Sequence, residues 1–392
     1  MAYTIQATPV VLSSIQGDLI YTVAYPEHTS DPVTYPNYKF VGDVYVGALL
    51  VARLKAVPNP VTNIGIFNIG QVVRNYIATV FNPTAVVDCQ RMGVGEFNLK
   101  VTMKFGEEYS YTTYTNLVVD SERTFFNNYN GRLFGTLTSL AGLSNKPVTD
   151  RPVISTVQCG TGFNLVPYLP STTGAVTLTI KSYNYSNTLY ATNTTIFTPG
   201  AAYELAIINC SPTAINTLFP GAANDYTKYY TVEFGSGATV LQFNIRCECV
   251  YEVFTLHFLN KYGGFESKSF DKVSRKTISI EKKDFGKLPY TVDVSGVVSY
   301  SNTNKVYNES RSVYSSHFKE KMVLNSDLLT DAEYRWLKEL VLSPMVYLEE
   351  GGYFFPVVIS ENNYETKKVI NDELTNLTIS IEFGMTENAQ SR

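Results

Sequence analysis

The sequence predicts a mainly β protein, built from several antiparallel β-sandwiches with two short amphipathic helices. Apolar and polar residues alternate with a period of two along several segments, as they do in strands with one buried face. Tyr and Phe are abundant, at 29 and 22 of 392 residues, while charged residues make up only 17%. That composition suits pleated, half-buried sheet surfaces. The length is too great for one ordinary core and indicates two or three domains.

Four segments show the strand pattern most clearly. Apolar residues occupy every second position of Phe97–Phe105, with Asn, Lys and Thr between them. Tyr38–Val46 and Val176–Ile180 have the length and residue types of strands, and Leu377–Phe383 alternates again near the end of the chain. Each is predicted to be a strand with one face against a core.

Two segments instead repeat at helical spacing. Apolar residues between positions 69 and 81 recur every three or four residues, which predicts an amphipathic helix over 69–81. A second helix is predicted over 331–342. There Thr330 and Glu333 have the spacing of a capping box, in which each side chain bonds the other residue's backbone amide.

Composition divides the chain into three predicted domains. Residues 1–145 are predicted to form a β-rich domain with one helix. Residues 146–248 contain few charges and many Ser, Thr, Asn and Tyr, with short strand-like runs between turn residues, which predicts a β-sandwich. Residues 249–392 are more charged and are predicted to be a β-rich domain with the capped helix. Within the middle domain, residues 151–245 are expected to be the most exposed or peripheral part of the chain.

Charge and patterning argue against several classes of partner. The net charge is −4 and the pI is about 5.6, so the chain has no electrostatic footprint for nucleic acid and little attraction to an anionic membrane. No stretch reaches 18 apolar residues, and Met1–Gln6 has no basic region leading into an apolar run, so neither a membrane span nor a signal peptide is expected. The five scattered Cys are expected to be free and mostly buried.

Catalytic and metal-binding motifs are missing from the sequence. The three His residues lie far apart, and there is no Gly-x-Ser-x-Gly, His-Glu-x-x-His, Cys-x-x-Cys or phosphate-binding glycine loop. Gly235-Ser236-Gly237 and Gly351-Gly352 lack a following phosphate-binding helix and are predicted to be turns. Cys247-x-Cys249 is the nearest approach to a metal or redox motif, with both thiols on one side of a predicted Phe243–Val253 strand. We therefore expect no enzyme activity, no cofactor and no metal.

Acidic pairs need a separate argument, because a glycosidase requires only two carboxylates that are close in space. Glu107-Glu108 and Glu349-Glu350 are neighbours in sequence. Neighbours in a strand point to opposite faces, so we interpret both pairs as solvated turns.

Clustered aromatic residues are the candidate contact residues. Tyr packs across strands, favours protein interfaces and stacks on sugar rings, so cross-strand packing, a subunit contact and a glycan contact all remain open. The only Trp lies beside the apolar stripe of the second helix, whose Leu337 and Val341 are expected to point inward. The candidate interface comprises Trp336, Tyr183, Tyr185, Tyr226, Tyr229 and Tyr230.

Stretches in both ends of the chain carry a family resemblance. They are Tyr38–Val46 with Arg53-Leu54-Lys55, Leu256–Phe265, Trp336–Leu340 leading to Ser343-Pro344 and Val346-Tyr347, Phe355–Ile359 and Asn371–Leu374. These stretches resemble virion proteins of crAss-like and related tailed bacteriophages of Bacteroidota. The resemblance does not cover residues 151–245.

This resemblance implies a structural component of a phage virion, in the tail or at the attachment of a tail fibre, assembled in the host cytoplasm. The expected partners are other virion or tail proteins and further copies of the chain, with a host surface glycan or receptor left open. A competing hypothesis is an extracellular β-protein that binds or hydrolyses carbohydrate. Large Tyr-rich subunit contacts would favour the first, and one deep cleft with two facing carboxylates the second.

Overall fold

A computed structural model of the chain describes residues 3–360 except 11, 32, 129–140, 236–238, 248–250 and 303, together with 374–384 and 387–388. Strands account for 51% of the residues and helices for 9%, and nearly all strand pairs are antiparallel. The predicted mainly β fold class is confirmed.

The strands and helices are numbered here in chain order. The strands before residue 150 are β1 Thr4–Ala7, β2 Ile20–Ala24, β3 Lys39–Val46, β4 Leu49–Ala56, β5 Ile64–Asn68, β6 Asp88–Met92, β7 Asn98–Tyr109, β8 Thr112–Val119, β9 Arg123–Phe126 and β10 Lys146–Pro147. Those up to residue 270 are β11 Ile154–Gln158, β12 Leu165–Leu169, β13 Val176–Asn184, β14 Leu189–Phe197, β15 Leu205–Asn209, β16 Thr227–Phe234, β17 Thr239–Arg246, β18 Phe254–Leu259 and β19 Phe265–Phe270.

The remaining strands are β20 Arg275–Gly286, β21 Thr291–Val292, β22 Val298–Ser299, β23 Arg311–Asn325, β24 Leu329–Thr330, β25 Val346–Glu350, β26 Tyr353–Ile359, β27 Leu374–Thr375, β28 Thr378–Phe383 and β29 Glu387–Asn388. The α-helices are α1 Pro26–Thr29, α2 Gly70–Arg74, α3 Pro212–Leu218 and α4 Asp331–Leu342.

Backbone contacts divide the chain into two compact units. The first contains residues 1–248, 257–268 and 335–344, and the second contains 249–256, 269–334 and 345–392. The predicted boundary near residue 248 therefore falls close to a change of unit, although two later segments belong to the first unit. The predicted division between residues 145 and 146 stays a prediction.

The first unit contains two separate hydrophobic cores. One is enclosed by the sheet β1-β2-β5 and the sheet β4-β3-β7-β8, with β9 paired to β7. Alternate residues of β7 fill it because their side chains point to one face of the sheet. Its largest buried members include Tyr21, Phe40, Phe105 and Phe125.

The other core lies between the sheets β10-β12-β15-β6 and β11-β17-β16-β13-β14. Its buried residues include Tyr230, Phe234 and Phe243. Strand β6 lies within the predicted N-terminal domain but pairs with β15 of the predicted middle domain, so the sandwich draws on residues from both. Strand β11 is an edge strand and runs parallel to β17.

The second unit contains the strand path β25-β26-β28-β23-β20, with β29 also paired to β23. Two small pairs, β21 with β22 and β24 with β27, accompany it. The β25–β26 hairpin turns at Gly351 and Gly352, which have φ of 62° and 81° and therefore adopt a conformation that side chains disfavour. The turn predicted at this glycine pair is confirmed.

Local sequence signals account for most of these elements. Each of the four predicted strands coincides with a strand, and the residues Leu99, Val101, Met103 and Phe105 of β7 are buried as the alternation requires. Helix α4 spans the predicted 331–342. Its capping box is present, because the Thr330 amide donates to Glu333 Oε2 at 3.1 Å and the Glu333 amide donates to Thr330 Oγ1 at 3.3 Å.

The predicted helix over 69–81 is wrong in its length, because α2 ends at Arg74. The apolar stripe is buried only at its start. Ile69 and Val73 are buried, whereas Tyr76 and Val80 are 40% and 47% exposed. The Ala78 amide donates to the Gly95 carbonyl at 2.8 Å instead of continuing the helix. Tertiary pairing therefore overrides a weak helical preference in a stretch rich in β-branched and aromatic residues.

The cysteine predictions are only partly confirmed. The four described cysteines are thiols, of which Cys89 and Cys210 are buried while Cys159 and Cys247 are exposed. The predicted Phe243–Val253 strand is wrong, because β17 ends at Arg246 and β18 starts at Phe254. Cys249 and residues 371–373 lie outside the described residues, as does the turn at 236–237.

Candidate functional site

The clearest unpartnered surface is a long pair of strands that we call the arm, residues 275–325. Strand β20 has 12 residues and β23 has 15, and they pair in antiparallel register from Arg275 opposite Val323 to Gly286 opposite Arg311. Strand β20 ends the strand path of its sheet, so among the described residues only β23 pairs with it. Its outer edge therefore presents backbone donors and acceptors to a further strand.

The arm exposes apolar side chains from Ile278 to Tyr314, whereas Met322 and Leu324 near its end are buried. None of the described residues from 275 to 311 is buried. A ribbon of two strands has no core of its own and is marginally stable in water. Exposed apolar patches of this extent mark contact surfaces. The large apolar side chains exposed here are Ile278, Ile280, Phe285, Leu288, Val292, Val294, Val297, Val298, Tyr300, Val306, Tyr307, Val313 and Tyr314.

The charge of the arm differs from that of the rest of the chain. Residues 275–325 contain nine Lys and Arg against five Asp and Glu, whereas the rest contains 22 and 30. The arm is therefore net positive and the remainder net negative. Two ion pairs lie along the arm, Arg311 with Asp284 at 2.6 Å and Lys287 with Glu309 at 2.5 Å, but both involve substantially exposed side chains. Such pairs contribute little to stability.

This location differs from the expected one. Residues 151–245 were expected to be the most exposed or peripheral part, but they contain a hydrophobic core, and the long run without buried residues is 275–311. A peripheral position of residues 151–245 stays a prediction. Low charge and abundant Ser, Thr and Tyr therefore did not distinguish a packed sandwich from a contact surface.

The predicted tyrosine interface is only partly at the surface. Tyr185 and Tyr226 are 66% and 78% exposed. Tyr183 and Tyr229 face each other on β13 and β16, and their half-exposed rings stack with centroids 4.6 Å apart, as cross-strand packing predicts. Tyr230 is wrong as an interface residue, because it is fully buried and its hydroxyl donates to the Cys210 carbonyl at 2.5 Å. Tyr183, Tyr185, Tyr226 and Tyr229 are therefore the candidate tyrosines that remain at least partly exposed.

Trp336 is also wrong as a subunit contact, because its side chain is buried within the first unit. Its ring lies 5.8 Å from the ring of Phe258, and the Arg151 guanidinium lies 4.7 Å from the Trp ring centroid. The Trp336 indole N–H donates to Glu266 Oε2. Leu337 is buried as expected, and Val341 is half-buried.

Glu266 is the centre of a buried polar network around Trp336. Asn260 Nδ2 donates to Glu266 Oε1 at 2.6 Å and to the Val148 carbonyl at 2.9 Å. Arg151 donates to Asn164 Oδ1 at 2.7 Å and to the Ser267 carbonyl. Burial raises the pKa of Glu266, and the positive charge of Arg151 opposes that shift. Removing one member would leave another polar group buried without its partner.

A second carboxylate, Glu339, extends this network from α4. It accepts the Lys261 amide at 3.1 Å, and the Lys261 ammonium lies 3.7 Å from its other oxygen while also bonding Asp150. Burial raises the pKa of Glu339 to about 8, and the nearby Glu266 adds to the shift. Glu266 and Glu339 are 0% and 3% exposed, so this carboxylate pair does not form the open cleft that a glycosidase needs.

The Glu107-Glu108 pair lies in β7 and not in a solvated turn, which corrects the sequence interpretation. The two side chains do point to opposite faces. Glu107 is buried and accepts from His28 Nδ1 at 2.8 Å, while Glu108 pairs with Lys55. The His28 ring is stacked on Tyr35 with centroids 3.7 Å apart. The hydrogen bond between His28 and Glu107 anchors the short helix α1 to the sheet.

The described residues contain no group of three or more His, Cys, Asp and Glu positioned to hold a metal ion. Within the same part of the chain, no helix is long and apolar enough to cross a membrane. The chain matches no protein-family model, and no curated protein matches it in sequence.

Proposed function

We propose that the chain is a structural component of a bacteriophage virion, a tail or tail-fibre-attachment protein, whose copies hold one another through the arm. The observation that carries this proposal is the run from 275 to 311, which contains no buried residue among those described and exposes a row of apolar side chains. A monomeric soluble enzyme or binding module does not require an exposed apolar ribbon of this kind. An assembly protein can bury it against a neighbour.

The occupant we assign to the arm is a second copy of this chain. Nine basic against five acidic residues in the arm complement 22 basic against 30 acidic residues in the rest, so the arm of one copy is attracted to the remainder of the next. The open edge of β20 can add a strand from that neighbour. A head-to-tail contact of this kind closes into a ring when the rotation permits.

Replacing Ile280 by Glu should disrupt this assembly. Ile280 is 62% exposed in the middle of β20, so the change leaves the fold intact while placing a charge in the apolar contact. We expect the wild-type chain to form an oligomer by native mass spectrometry and sedimentation, with a contact above roughly 1,000 Å². The variant should raise the dissociation constant at least about tenfold, equivalent to about 1.4 kcal/mol.

Ile66 provides the matched control, because it is 55% exposed on the edge strand β5 outside the arm. Ile66→Glu should leave the oligomer unchanged. An equal effect of both variants would assign assembly to general surface hydrophobicity and contradict a specific role of the arm.

The virion role itself is tested by mass spectrometry of purified phage particles, followed by localisation of the chain within them by electron microscopy. We expect the chain to be present in several copies at a fixed position in the tail. A stable monomer that is absent from purified particles would overturn the proposal.

A further inference from the structure

A pair of exposed cysteines lies at the end of the parallel strands β11 and β17. The register of these strands is constant from Ile154 opposite Gln242 to Gln158 opposite Arg246. Cys159 and Cys247 are the next residues of the two strands. The Cys159 amide donates to the Arg246 carbonyl at 2.8 Å, so the ladder extends to this position.

This placement suits a disulfide. Neighbouring strands lie about 4.8 Å apart, and paired residues of a parallel ladder point to the same face. Disulfides join residues whose Cα atoms are about 4.4–6.8 Å apart. Cys159 and Cys247 also line the same cavity.

The cavity makes the two thiols accessible to a small molecule. It has a volume of about 420 Å³, and its other lining residues include Pro212, Asn216, Asn224 and Asp225. That volume falls within the range of small-molecule pockets. Cys159 and Cys247 are exposed, whereas Cys89 and Cys210 are buried, and burial raises the pKa of each of the latter to about 12. The buried thiols are therefore poor nucleophiles, and among the four described cysteines the exposed pair is the more reactive.

We propose that Cys159 and Cys247 are a thiol pair that reacts with a low-molecular-weight disulfide such as oxidised glutathione and closes into a reversible disulfide. The thiolate of one cysteine attacks a sulfur of the oxidant, breaks its S–S bond and releases one thiol. The second cysteine then attacks the protein sulfur of this mixed disulfide and releases the other thiol. The two cysteines lose two electrons, and their protons pass to the two released thiols.

The disulfide would link the edge strand β11 covalently to β17. Strand β11 has five residues, and among the described strands it pairs only with β17. The cross-link would close a loop of nearly ninety residues and restrict the unfolded chain accordingly. The inference does not depend on the proposed virion role.

The test treats the purified, reduced full-length chain with oxidised glutathione, blocks the remaining thiols by alkylation and maps the peptides without reduction. We expect peptides containing Cys159 and Cys247 to be linked, and the link to disappear on reduction. Cys159→Ser should stop at the mixed disulfide on Cys247, while Cys249→Ser should leave the link intact. Oxidation should also raise the melting temperature of the wild type but not that of Cys159→Ser.

Two outcomes would overturn the proposal. One is separate glutathione adducts on Cys159 and Cys247 with no link between them. The other is a link from Cys247 to Cys249 in place of Cys159. Because Ser is nearly isosteric with Cys and Cys159 is exposed, the Cys159→Ser variant should fold, and circular dichroism of both variants before oxidation checks this directly.

Discussion

Replacing Trp336 by Ala should lower the free energy of unfolding by about 3–5 kcal/mol, the range for truncating a large buried aromatic side chain. The side chain is 2% exposed, and its removal leaves a cavity beside Phe258 while taking away the indole donor of Glu266. Both effects act in the same direction, because a buried carboxylate that loses a donor is itself destabilising. Denaturant unfolding followed by circular dichroism measures the change without relying on Trp fluorescence.

Two further variants separate the volume of Trp336 from its hydrogen bond. Trp336→Phe keeps most of the packing but removes the N–H donor to Glu266, so its cost should be about 1–3 kcal/mol. Leu342→Ala provides the control, because Leu342 is 46% exposed at the end of the same helix and its truncation should cost less than about 0.5 kcal/mol. A Trp336→Ala variant as stable as the Leu342 control would contradict the buried placement.

The burial of Trp336 could not be predicted from α4 alone. The stripe made by Tyr334, Leu337 and Leu340 defines one apolar face, and Trp336 falls beside it. The Trp336 side chain is covered by Phe258 and Glu266, which lie seventy or more positions earlier in the chain. Long-range packing of this kind leaves no periodic signal in the helix. The capping box at Thr330, by contrast, involves neighbours in sequence and was predictable for that reason.

Strands were predictable wherever alternation coincided with a buried face. In β7 the alternation places Leu99, Val101 and Met103 in a core. In β20 a similar alternation places Ile278 and Ile280 at the surface, because no other part of the described chain packs against them. The pattern indicates which residues share a face, and not whether that face is covered.

The same reasoning explains why some of the candidate interface tyrosines are exposed and others are buried. Tyr183 and Tyr229 were candidates for cross-strand packing, a subunit contact or a glycan contact, and the register and ring stacking show that they pack on each other. Tyr230, one residue further along β16, points to the opposite face and is buried. A run such as Tyr229-Tyr230 necessarily contributes one residue to each face. The arm was not predicted, although the Val- and Tyr-rich stretch at 288–307 was visible in the sequence.

The network around Glu266 joins two segments that are far apart in sequence. Asn260 and Glu266 lie within residues 256–266, Trp336 and Glu339 lie on α4, and buried hydrogen bonds join the two segments. A buried polar network favours one arrangement of the segments that carry it. We interpret it as a structural device that fixes the first unit, because its carboxylates are buried and have no access to a substrate.

The protonation of this network should make stability fall as the pH rises from about 4.5 to 8. The folded chain holds the Glu339 proton up to a pKa of about 8, whereas the ordinary carboxyl pKa is 4.5, so the folded state binds more protons in that interval. The stabilisation is complete below pH 4.5 and is lost as the pH approaches 8. Each pKa unit is worth about 1.4 kcal/mol, so the loss amounts to a few kcal/mol.

Glu339→Gln should remove the part of this pH dependence that Glu339 causes. The Gln side-chain oxygen can still accept the Lys261 amide, but it has no proton to release, so unfolding free energies measured between pH 5 and 8 should decline less steeply than in the wild type. A residual slope of the same sign is expected from Glu266, whose pKa is also raised by burial. Glu350→Gln is the control, because Glu350 pairs with Lys276 at the surface and its loss should leave the slope unchanged. If Glu339→Gln retained the full wild-type slope, Glu339 would have to be ionised throughout this range in the folded chain, with Lys261 compensating for its burial.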